Sequence, residues 1–281
     1  MRLEGSPDVT VIVAVRDRAT TVEECLDSII AQVDCEVQIV VVDGASEDGT
    51  LEILERYDDR IELIHDVTGG VTAAWNCALE RARGRWCAFI GADDALEGSR
   101  ALASLLACAC DHEQRYGRAP VLVAGTVRMV GLGPDKLLTA DAPDPARCLR
   151  SARMIPHCAA LHETEAIREE GGFDESFAIA ADLALAIRFA DRGAVIACPT
   201  LVATVRTGGI STAAGSQRRL DRERYRLLLQ SYNRISALRR RGTSGAASPA
   251  GPAVPSASRR SASPVTRCTV HSSIGTAPIE R

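Results

Sequence analysis

The chain has 281 residues, 46% of them hydrophobic and 25% charged, which is ordinary for one soluble α/β domain with appendages. The net charge of -4 hides an asymmetry, because seven of the 33 Lys and Arg residues but only one of the 37 Asp and Glu residues lie after residue 238. Residues 1–238 are therefore strongly acidic, and such a domain is not expected to wrap a nucleic-acid backbone.

The ten cysteines occur singly, with no CxxC pair and no Cys-His spacing typical of a zinc site. We expect them to be reduced and to serve as small hydrophobic residues. No basic segment followed by an apolar run precedes the first predicted strand, so we expect no secretory signal. No stretch approaches the roughly 18 uninterrupted apolar residues that crossing a bilayer requires. The sequence predicts a cytoplasmic protein that is at most peripheral to the inner face of a membrane.

Residues 9–90 alternate between strand and helix patterns. Strands are predicted at 9–15, 37–42, 61–64 and 86–90, and helices at 22–32, 51–57 and 72–83. This βαβαβαβ order predicts an α/β fold with a Rossmann-like, mostly parallel sheet flanked by helices. Asp43, Asp93 and Asp94 directly follow predicted strands. Open parallel sheets bind ligands at the carboxyl ends of their strands, so these three carboxylates indicate a site.

The second half of the chain is less regular. The pattern predicts a helix at 98–110, a strand at 121–130, partly helical residues at 146–170, a turn at 171–177, a helix at 180–192 and short strands at 194–197 and 201–205. An arginine-rich amphipathic helix is predicted at 217–241, and it either packs on the domain or lies at an anionic lipid surface. Residues 242–281 are rich in Ser, Ala, Pro, Gly and Thr, which predicts a disordered C-terminal tail.

Asp93 and Asp94 end the segment FIGADD, after a buried strand. Two adjacent carboxylates repel one another unless a positive group lies close to them. A Mg²⁺ or Mn²⁺ ion is commonly held by one or two carboxylates together with substrate phosphates. The alternative is that Asp94 caps a following helix, because ADDALEG could begin one.

Three segments together carry a family resemblance: VTVIVAVRDRATTVEECLDSIIAQ, VVDGASEDGT and ARGRWCAFIGADD. They resemble the nucleotide-sugar-binding half of glycosyltransferase family 2, whose members have the GT-A fold. GGFDESFAIAADLALAIRFADRGA, with GGIS at 208–211, is similar to the acceptor half of a branch that builds bacterial surface polysaccharides. The resemblance implies a single GT-A domain, with residues 1–95 as the nucleotide-sugar-binding half and residues 96–216 as the acceptor-binding half.

The resemblance also implies roles on the donor side of the site. The segment that lines the nucleotide base is matched by Ala14, Val15 and Arg16, and the aspartate that binds base or ribose is matched by Asp43. Asp93 matches the residue that reaches the ribose. Asp94 matches the residue that binds a Mn²⁺ or Mg²⁺ ion. The position of Asp43 before Gly44 leaves open a second interpretation, in which its side chain only forms a turn.

Asp182 matches the aspartate that the family uses as catalytic base. A carboxylate within hydrogen-bond reach of an acceptor hydroxyl can take its proton during attack on the anomeric carbon, and the family outcome is inversion. Because Asp182 begins an apolar helix, a capping role is the alternative. His157 matches a Pro-His pair on the acceptor or diphosphate side, although a lone histidine is as often structural. Gly208, Gly209 and Ser211 form either a flexible segment over the site or an ordinary loop.

Residues 65–79, HDVTGGVTAAWNCAL, depart from the family pattern SEPDxGxYDAxNKG. Trp75 and Asn76 remain and are assigned to nucleotide-sugar binding. Thr68, Ala73 and Cys77 stand where the family has two aspartates and a lysine. The missing lysine removes a contact to the diphosphate, for which Arg16 or Arg206 could substitute.

The leading hypothesis is a metal-dependent, inverting glycosyltransferase that moves a sugar from a nucleotide-sugar donor to a hydroxyl of a glycan or lipid-linked saccharide. A sugar-phosphate nucleotidyltransferase is less favoured, because VAVRDRATTV lacks the glycine-rich phosphate loop of such enzymes. A non-catalytic nucleotide-sugar-binding homologue is the third hypothesis, and the altered 65–79 segment is its basis.

Overall fold

The structure is a computed structural model that describes residues 5–131, 133–139, 155–189, 192–209 and 215–244. The side chains of residues 231–244 are not described. Two units are distinguished, Met1–Arg240 and Arg241–Arg281, and all of the described strands belong to the first.

The first half of the chain forms parallel strands connected by helices, as predicted. The elements are β1 (Val9–Val15), α1 (Val22–Ile30), β2 (Val37–Asp43), α2 (Thr50–Glu55), β3 (Glu62–Ile64), α3 (Val71–Arg81) and β4 (Trp86–Gly91). Strand β1 pairs in parallel with both β2 and β4, and β2 pairs with β3. The β-branched run in β1 is buried on both faces, which is typical of a central strand in such a sheet.

The second half adds mixed strands to the same sheet. Its elements are β5 (Ala95–Leu96), α4 (Ala101–Tyr116), β6 (Leu122–Val130), β7 (Lys136–Leu138), β8 (Ala160–Glu163), α5 (Thr164–Glu169), α6 (Ala181–Phe189), β9 (Val195–Arg206) and α7 (Ser216–Ser244). Within the described residues the strand order is β3-β2-β1-β4-β8-β6-β9-β5, with β7 paired to β6. Strand β8 is antiparallel to both of its neighbours and interrupts the parallel pairing after β4, while β6 and β9 pair in parallel beyond it.

Two apolar clusters cover the two faces of the sheet. Ile12 of β1 faces the cluster that contains α3 and α6, whereas Val11 and Val13 face the cluster that contains α1 and α4. Successive side chains of a strand point to opposite faces, so a strand buried on both faces must be apolar at every position. This explains why β1 reads as an uninterrupted apolar run.

Strand β9 differs from the prediction of two short strands at 194–197 and 201–205. It is one continuous strand whose pairing with β6 shifts register between Ala197 and Leu201 and again between Leu201 and Ala203. Pro199 lies in this irregular stretch, where the absence of its N–H breaks no regular ladder hydrogen bond. Gly125 faces the same stretch, and a Cβ there would come within 2.4 Å of Val202. The strand therefore continues through Pro199 within the irregular stretch and does not end there.

Helix α7 covers the predicted basic helix at 217–241 and continues to Ser244, beyond the predicted start of the tail at 242. Leu220 and Leu227 are buried in the core cluster, so this helix packs on the domain. Residues 245–281, the rest of the predicted tail, lie outside the described residues. None of the helices in the described part of the chain combines the length and apolar character that crossing a membrane requires.

Candidate active site

The carboxyl ends of β1, β2 and β4 meet at one edge of the sheet. The register pairs Val15 with Asp43 and Ala14 with Gly91, so the residues after all three strands emerge side by side. The hydroxyl of Thr21, at the start of α1, donates to the carbonyl of Ala92 (2.9 Å) and does not cap its own helix. This bond fixes the loop after β4 next to the loop after β1.

Asp43 is buried at the end of β2, and its carboxylate holds a turn. Oδ2 accepts a hydrogen bond from the Ser46 backbone N–H (3.1 Å), and Oδ1 accepts one from the Ser46 hydroxyl (2.5 Å). The turn-forming interpretation of Asp43 is therefore observed. Its assignment to base or ribose binding stays a prediction.

Arg16 follows Ala14 and Val15 at the edge, and its side chain is exposed beside Gly44. The side chain of Arg18 lies closer to the acidic pair, with its Nε 3.5 Å from Oδ2 of Asp93. Arg18 therefore contacts the predicted nucleotide-sugar site through Asp93. Sequence patterns gave no signal for this arginine.

Asp93 and Asp94 converge over Gly91. A Cβ at Gly91 would lie 2.8 Å from Oδ1 of Asp93 and 2.9 Å from Oδ2 of Asp94. Both contacts are closer than real Cβ atoms show, so a side chain at position 91 would have to displace one or both carboxylates. The residues after Asp94 form β5, and no helix begins before Ala101. The alternative in which Asp94 caps a helix is therefore wrong.

Arg206, the last residue of β9, holds the acidic pair in place. Its backbone N–H donates to Oδ1 of Asp94 (3.0 Å), and its Nη1 donates to the backbone carbonyl of Asp93 (3.0 Å). Its Nη2 contacts both carboxylate oxygens of Glu24 on α1 at 2.8 Å. Burial raises the pKa of Asp94 to about 7, and the charge of Asp93 adds to the effect, while Arg206 opposes it.

The residues after β9 return to the same place. Gly208 has a φ of +117°, which L side chains rarely adopt, and a Cβ at Gly209 would lie 3.4 Å from Oδ2 of Asp93. The predicted glycine segment therefore lies at the acidic pair. Ser211, the third residue of that prediction, is outside the described residues.

Asp182 lies in the first turn of α6, where Leu183 donates its backbone N–H to Oδ1 (2.7 Å). Burial raises the pKa of Asp182 to about 6, and the hydrogen bond from Leu183 and the charge of Arg224 limit the rise. A carboxylate with a pKa close to neutrality is suited to exchange protons at physiological pH. Burial raises the pKa of the Cys158 thiol, and the charges of Asp94 and Asp182 add to the effect.

A buried glutamate on α7 fixes the start of the helix that carries Asp182. Both oxygens of Glu223 accept hydrogen bonds, from the backbone N–H groups of Ala178 (3.1 Å), Ile179 (2.9 Å) and Ala180 (2.9 Å). Three consecutive N–H groups directed at one carboxylate form an anion-binding nest, here filled by the protein itself. Sequence patterns gave no signal for Glu223, because it is 41 residues away from Asp182 in an arginine-rich helix.

Helix α3, which contains residues 71–79 of the altered segment, anchors the turn before α6. Nδ2 of Asn76 donates to the carbonyl of Phe173 and to Glu175, both at 2.9 Å, and Oδ1 accepts from the Phe173 N–H (2.8 Å). The hydroxyl of Thr72 donates to the carbonyl of Phe177 (2.9 Å). The side-chain amide of Asn76 therefore holds this turn, which is a structural role. The assignment of Asn76 to nucleotide-sugar binding stays a prediction.

Trp75 and His157 belong to an aromatic cluster beneath the site. The ring of His157 stacks on Phe89, with centroids 5.0 Å apart and planes 15° apart, and lies 4.8 Å from the ring of Trp75. Burial, together with His162, lowers the pKa of His157 well below its ordinary value. This shift disfavours the charged form of His157, so its predicted place on the acceptor or diphosphate side stays a prediction without support from charge.

The donor set fits a divalent cation that a substrate helps to hold. Within the described residues, no group of three or more His, Cys, Asp or Glu side chains is placed to hold a metal ion by itself. Asp93 and Asp94 supply two carboxylates over Gly91, and Mg²⁺ or Mn²⁺ typically completes its shell with waters and phosphate oxygens. The two carboxylates are compatible with such an ion, and its binding stays a prediction.

Comparison with known proteins agrees with this geometry. The family model for glycosyl transferase family 2 matches residues 10–116. A glycosyltransferase described as EpsJ from Bacillus subtilis is 35% identical over 91 residues, which cover 31% of this chain and 26% of that protein. A PGL/p-HBAD biosynthesis glycosyltransferase of Mycobacterium tuberculosis is 34% identical over 113 residues, which cover 39% and 44%. The succinoglycan biosynthesis protein ExoO of Rhizobium meliloti is 38% identical over 100 residues, which cover 35% and 29%.

Solved structures share the fold. Residues 1–349 of S. aureus TarS, in complex with UDP-GlcNAc, superpose with a TM-score of 0.60 at 19% identity, covering 74% of this chain and 61% of that one. The mannosyltransferase PcManGT of Pyrobaculum calidifontis, in complex with GDP-Man and Mn²⁺, gives a TM-score of 0.52 at 20% identity, covering 86% and 81%.

The fold is that of GT-A glycosyltransferases, and the predicted fold class is confirmed. The family model for glycosyl transferase family 2 matches residues 10–116, less than half of the chain, and this segment contains the edge with Asp43, Asp93 and Asp94. The matched segments span between about a quarter and a half of the length of the curated relatives.

Proposed function

We propose that the chain is an inverting glycosyltransferase that transfers a sugar from a nucleotide-sugar donor to a hydroxyl of a glycan or lipid-linked saccharide. The observation that carries the proposal is the convergence of Asp93 and Asp94 over Gly91 at the carboxyl edge of the sheet, inside the segment that matches the family. A carboxyl edge of parallel strands is where open α/β sheets bind nucleotides.

Asp182 is assigned as the general base. Its carboxylate accepts the proton of the acceptor hydroxyl, while the hydroxyl oxygen forms a bond to the anomeric carbon and the bond from that carbon to the diphosphate oxygen breaks. Attack opposite to the leaving group inverts the anomeric centre. The pKa of about 6 leaves most of the Asp182 carboxylate ionised at neutral pH and ready to accept this proton.

The donor side has to stabilise the departing diphosphate. A divalent cation bound at Asp93 and Asp94 would neutralise negative charge on the diphosphate oxygens. Arg206 keeps the two carboxylates in position, and Arg18 lies against Asp93. We assign the role of the missing lysine to Arg18 and to the exposed Arg16. Arg206 is also predicted for this role, and its guanidinium is paired with Glu24.

A non-catalytic nucleotide-sugar-binding protein is the second candidate, because α3 carries no cation toward the site. Cys77 replaces the family lysine, and the amide of Asn76 is occupied by the turn at Phe173. In this alternative the chain binds a donor at Asp93 and Asp94 without transferring the sugar.

The test measures hydrolysis of a panel of nucleotide sugars by the full chain with Mn²⁺, and in parallel the affinity for each nucleotide sugar by calorimetry. We expect turnover with at least one donor, a loss of about 10²- to 10⁴-fold in Asp182→Asn, and unchanged donor affinity in that variant. Asp111→Asn, an exposed change on α4, is the matched control. Donor binding without turnover in the wild-type chain would support the second candidate.

A further inference from the structure

Two cysteines far apart in sequence meet between α4 and β9. The sulfur atoms of Cys108 and Cys198 are 2.7 Å apart, although 90 residues separate them along the chain. Ser104, one turn before Cys108 on the same face of α4, has its carbonyl 3.8 Å from the sulfur of Cys198. The hydroxyl of Thr200 lies 3.5 Å from that sulfur. The side chain of Cys198 thus points at the helix face that presents Cys108.

The separation lies between two stable arrangements. Non-bonded heavy atoms rest at about 3.5–4.0 Å, whereas a disulfide bond is about 2.05 Å long. A movement of less than about 1 Å converts the observed contact into the bonded one. We propose that Cys108 and Cys198 are a modification site, at which a peroxide converts the two thiols into a reversible disulfide. Both cysteines are free in the structure, as the sequence predicts, and the proposal adds a redox role for this pair.

The chemistry proceeds through the more accessible thiol. Cys108 is partly exposed and Cys198 is buried, so hydrogen peroxide first reaches Cys108. The Cys108 sulfur attacks one peroxide oxygen, the O–O bond breaks, and a sulfenic acid and water form. The Cys198 sulfur then attacks the Cys108 sulfur, and the S–O bond breaks to release a second water. Two thiols lose two electrons and two protons, and one peroxide is reduced to two waters.

The local environment makes this reaction slow at neutral pH. Burial and the contact with Cys198 raise the pKa of Cys108 to about 12, so little thiolate is present at neutral pH. The thiolate is the attacking form, so disulfide formation should accelerate as the pH increases. The product would join α4 to the strand whose last residue, Arg206, holds Asp94.

The experiment treats the folded full chain with hydrogen peroxide at neutral and mildly alkaline pH, then blocks free thiols by alkylation and digests with trypsin. Cleavage after Arg100, Arg115, Arg192 and Arg206 gives peptides 101–115 and 193–206. Because peptide 101–115 also contains Cys110, the measurement is repeated in Cys110→Ser, which serves as the matched control. We expect the two peptides to be joined in both proteins, to separate under reductant, and to join faster at higher pH.

A second measurement is independent of the peptides. Closing a loop of this length should raise the Tm of the oxidised chain by on the order of 10 °C. The shift should be absent in Cys108→Ser and Cys198→Ser and present in Cys110→Ser. The proposal is overturned if peptides 101–115 and 193–206 are recovered separately with alkylated cysteines. It is also overturned if they join no more often in the folded chain than in the chain unfolded by denaturant.

Discussion

The backbone N–H of Arg206 donates a hydrogen bond of 3.0 Å to Oδ1 of Asp94, across 112 residues of sequence. The end of β9 therefore determines where the loop after β4 places its carboxylate. The same arginine pairs with Glu24 on α1, so three elements from both halves of the chain meet at one side chain. The position of the acidic pair is a property of the assembled sheet, because neither loop makes these contacts alone.

Gly91→Ala should weaken cation-dependent nucleotide binding without unfolding the protein. The new Cβ would lie within 3 Å of both carboxylates, so Asp93 and Asp94 must move apart. We expect the affinity for UDP and GDP in the presence of Mn²⁺, measured by calorimetry, to fall by at least about tenfold, which corresponds to roughly 1.4 kcal/mol.

Gly117→Ala is the control for a general loss of stability. Gly117 ends α4 with a φ of +73°, and a Cβ there meets nothing within 4 Å. Its replacement should cost about 1 kcal/mol of unfolding free energy and leave nucleotide binding unchanged. Equal nucleotide affinity in Gly91→Ala and wild type would contradict the role given to the acidic pair.

Glu223→Gln should weaken both the fold and the transfer reaction. Burial raises the pKa of Glu223, but the N–H groups of Ala180, Ile179 and Ala178 together with Arg219 bring it below its ordinary value, so the native side chain is an anion. Loss of the charge should reduce the unfolding free energy by about 2 kcal/mol, measured by urea denaturation.

The catalytic effect of Glu223→Gln has a separate readout, because this residue acts through the position of Asp182. We expect a lower kcat with retained affinity for the nucleotide-sugar donor. The reason is that the nest lies directly before α6, which carries Asp182, and not beside Asp93 or Asp94. Arg219→Gln is the matched control, because it removes an exposed partner of Glu223 and leaves the three backbone hydrogen bonds. Equal losses of stability and kcat in the two variants would refute a special role for the nest.

The stability of the fold should decrease in acid because of His162. Burial lowers the pKa of His162 to about 4, whereas the unfolded value is 6.5. Between these values the unfolded chain binds more protons than the native chain, so stability is complete above pH 6.5 and is lost as the pH falls toward 4. The loss from this group should reach about 3 kcal/mol.

The measurement is urea unfolding across this pH range for wild type and His162→Leu. The variant should show a smaller decrease of unfolding free energy in acid, because it lacks the group that takes up the proton. A decrease of the same size in both proteins would show that His162 does not control this transition.

Helix α7 should contribute little to membrane binding. Leu220 and Leu227 are buried in the domain, which leaves Tyr225, Leu228 and Leu229 as its exposed large apolar side chains within the described residues. We expect Leu229→Ser to co-sediment with anionic vesicles to the same extent as wild type, with any binding removed by salt. A clear drop in vesicle binding for Leu229→Ser would instead support the peripheral membrane contact.

The sequence by itself determined the parallel half of the sheet and the positions of its carboxylates along the chain. Buried parallel strands need apolar residues on both faces, so β1, β2 and β4 are visible as apolar runs. Asp43 is visible as the polar residue at the end of β2, and Asp94 as a polar residue shortly after β4. These features depend on neighbours close in sequence. The sequence predicts two strands where β9 is one, because Pro199 interrupts the local strand pattern. Pairing with β6 on both sides of the proline keeps the strand continuous.

Only the tertiary structure decided which side chains meet. Arg206 reaches Asp94, Glu223 fills the nest before Asp182, Asn76 holds the turn at Phe173, and Cys108 lies against Cys198, each across tens of residues. Hydrogen bonds and sulfur contacts act over a few ångströms, and nothing in the spacing of residues along the chain records which distant residues are brought within that range.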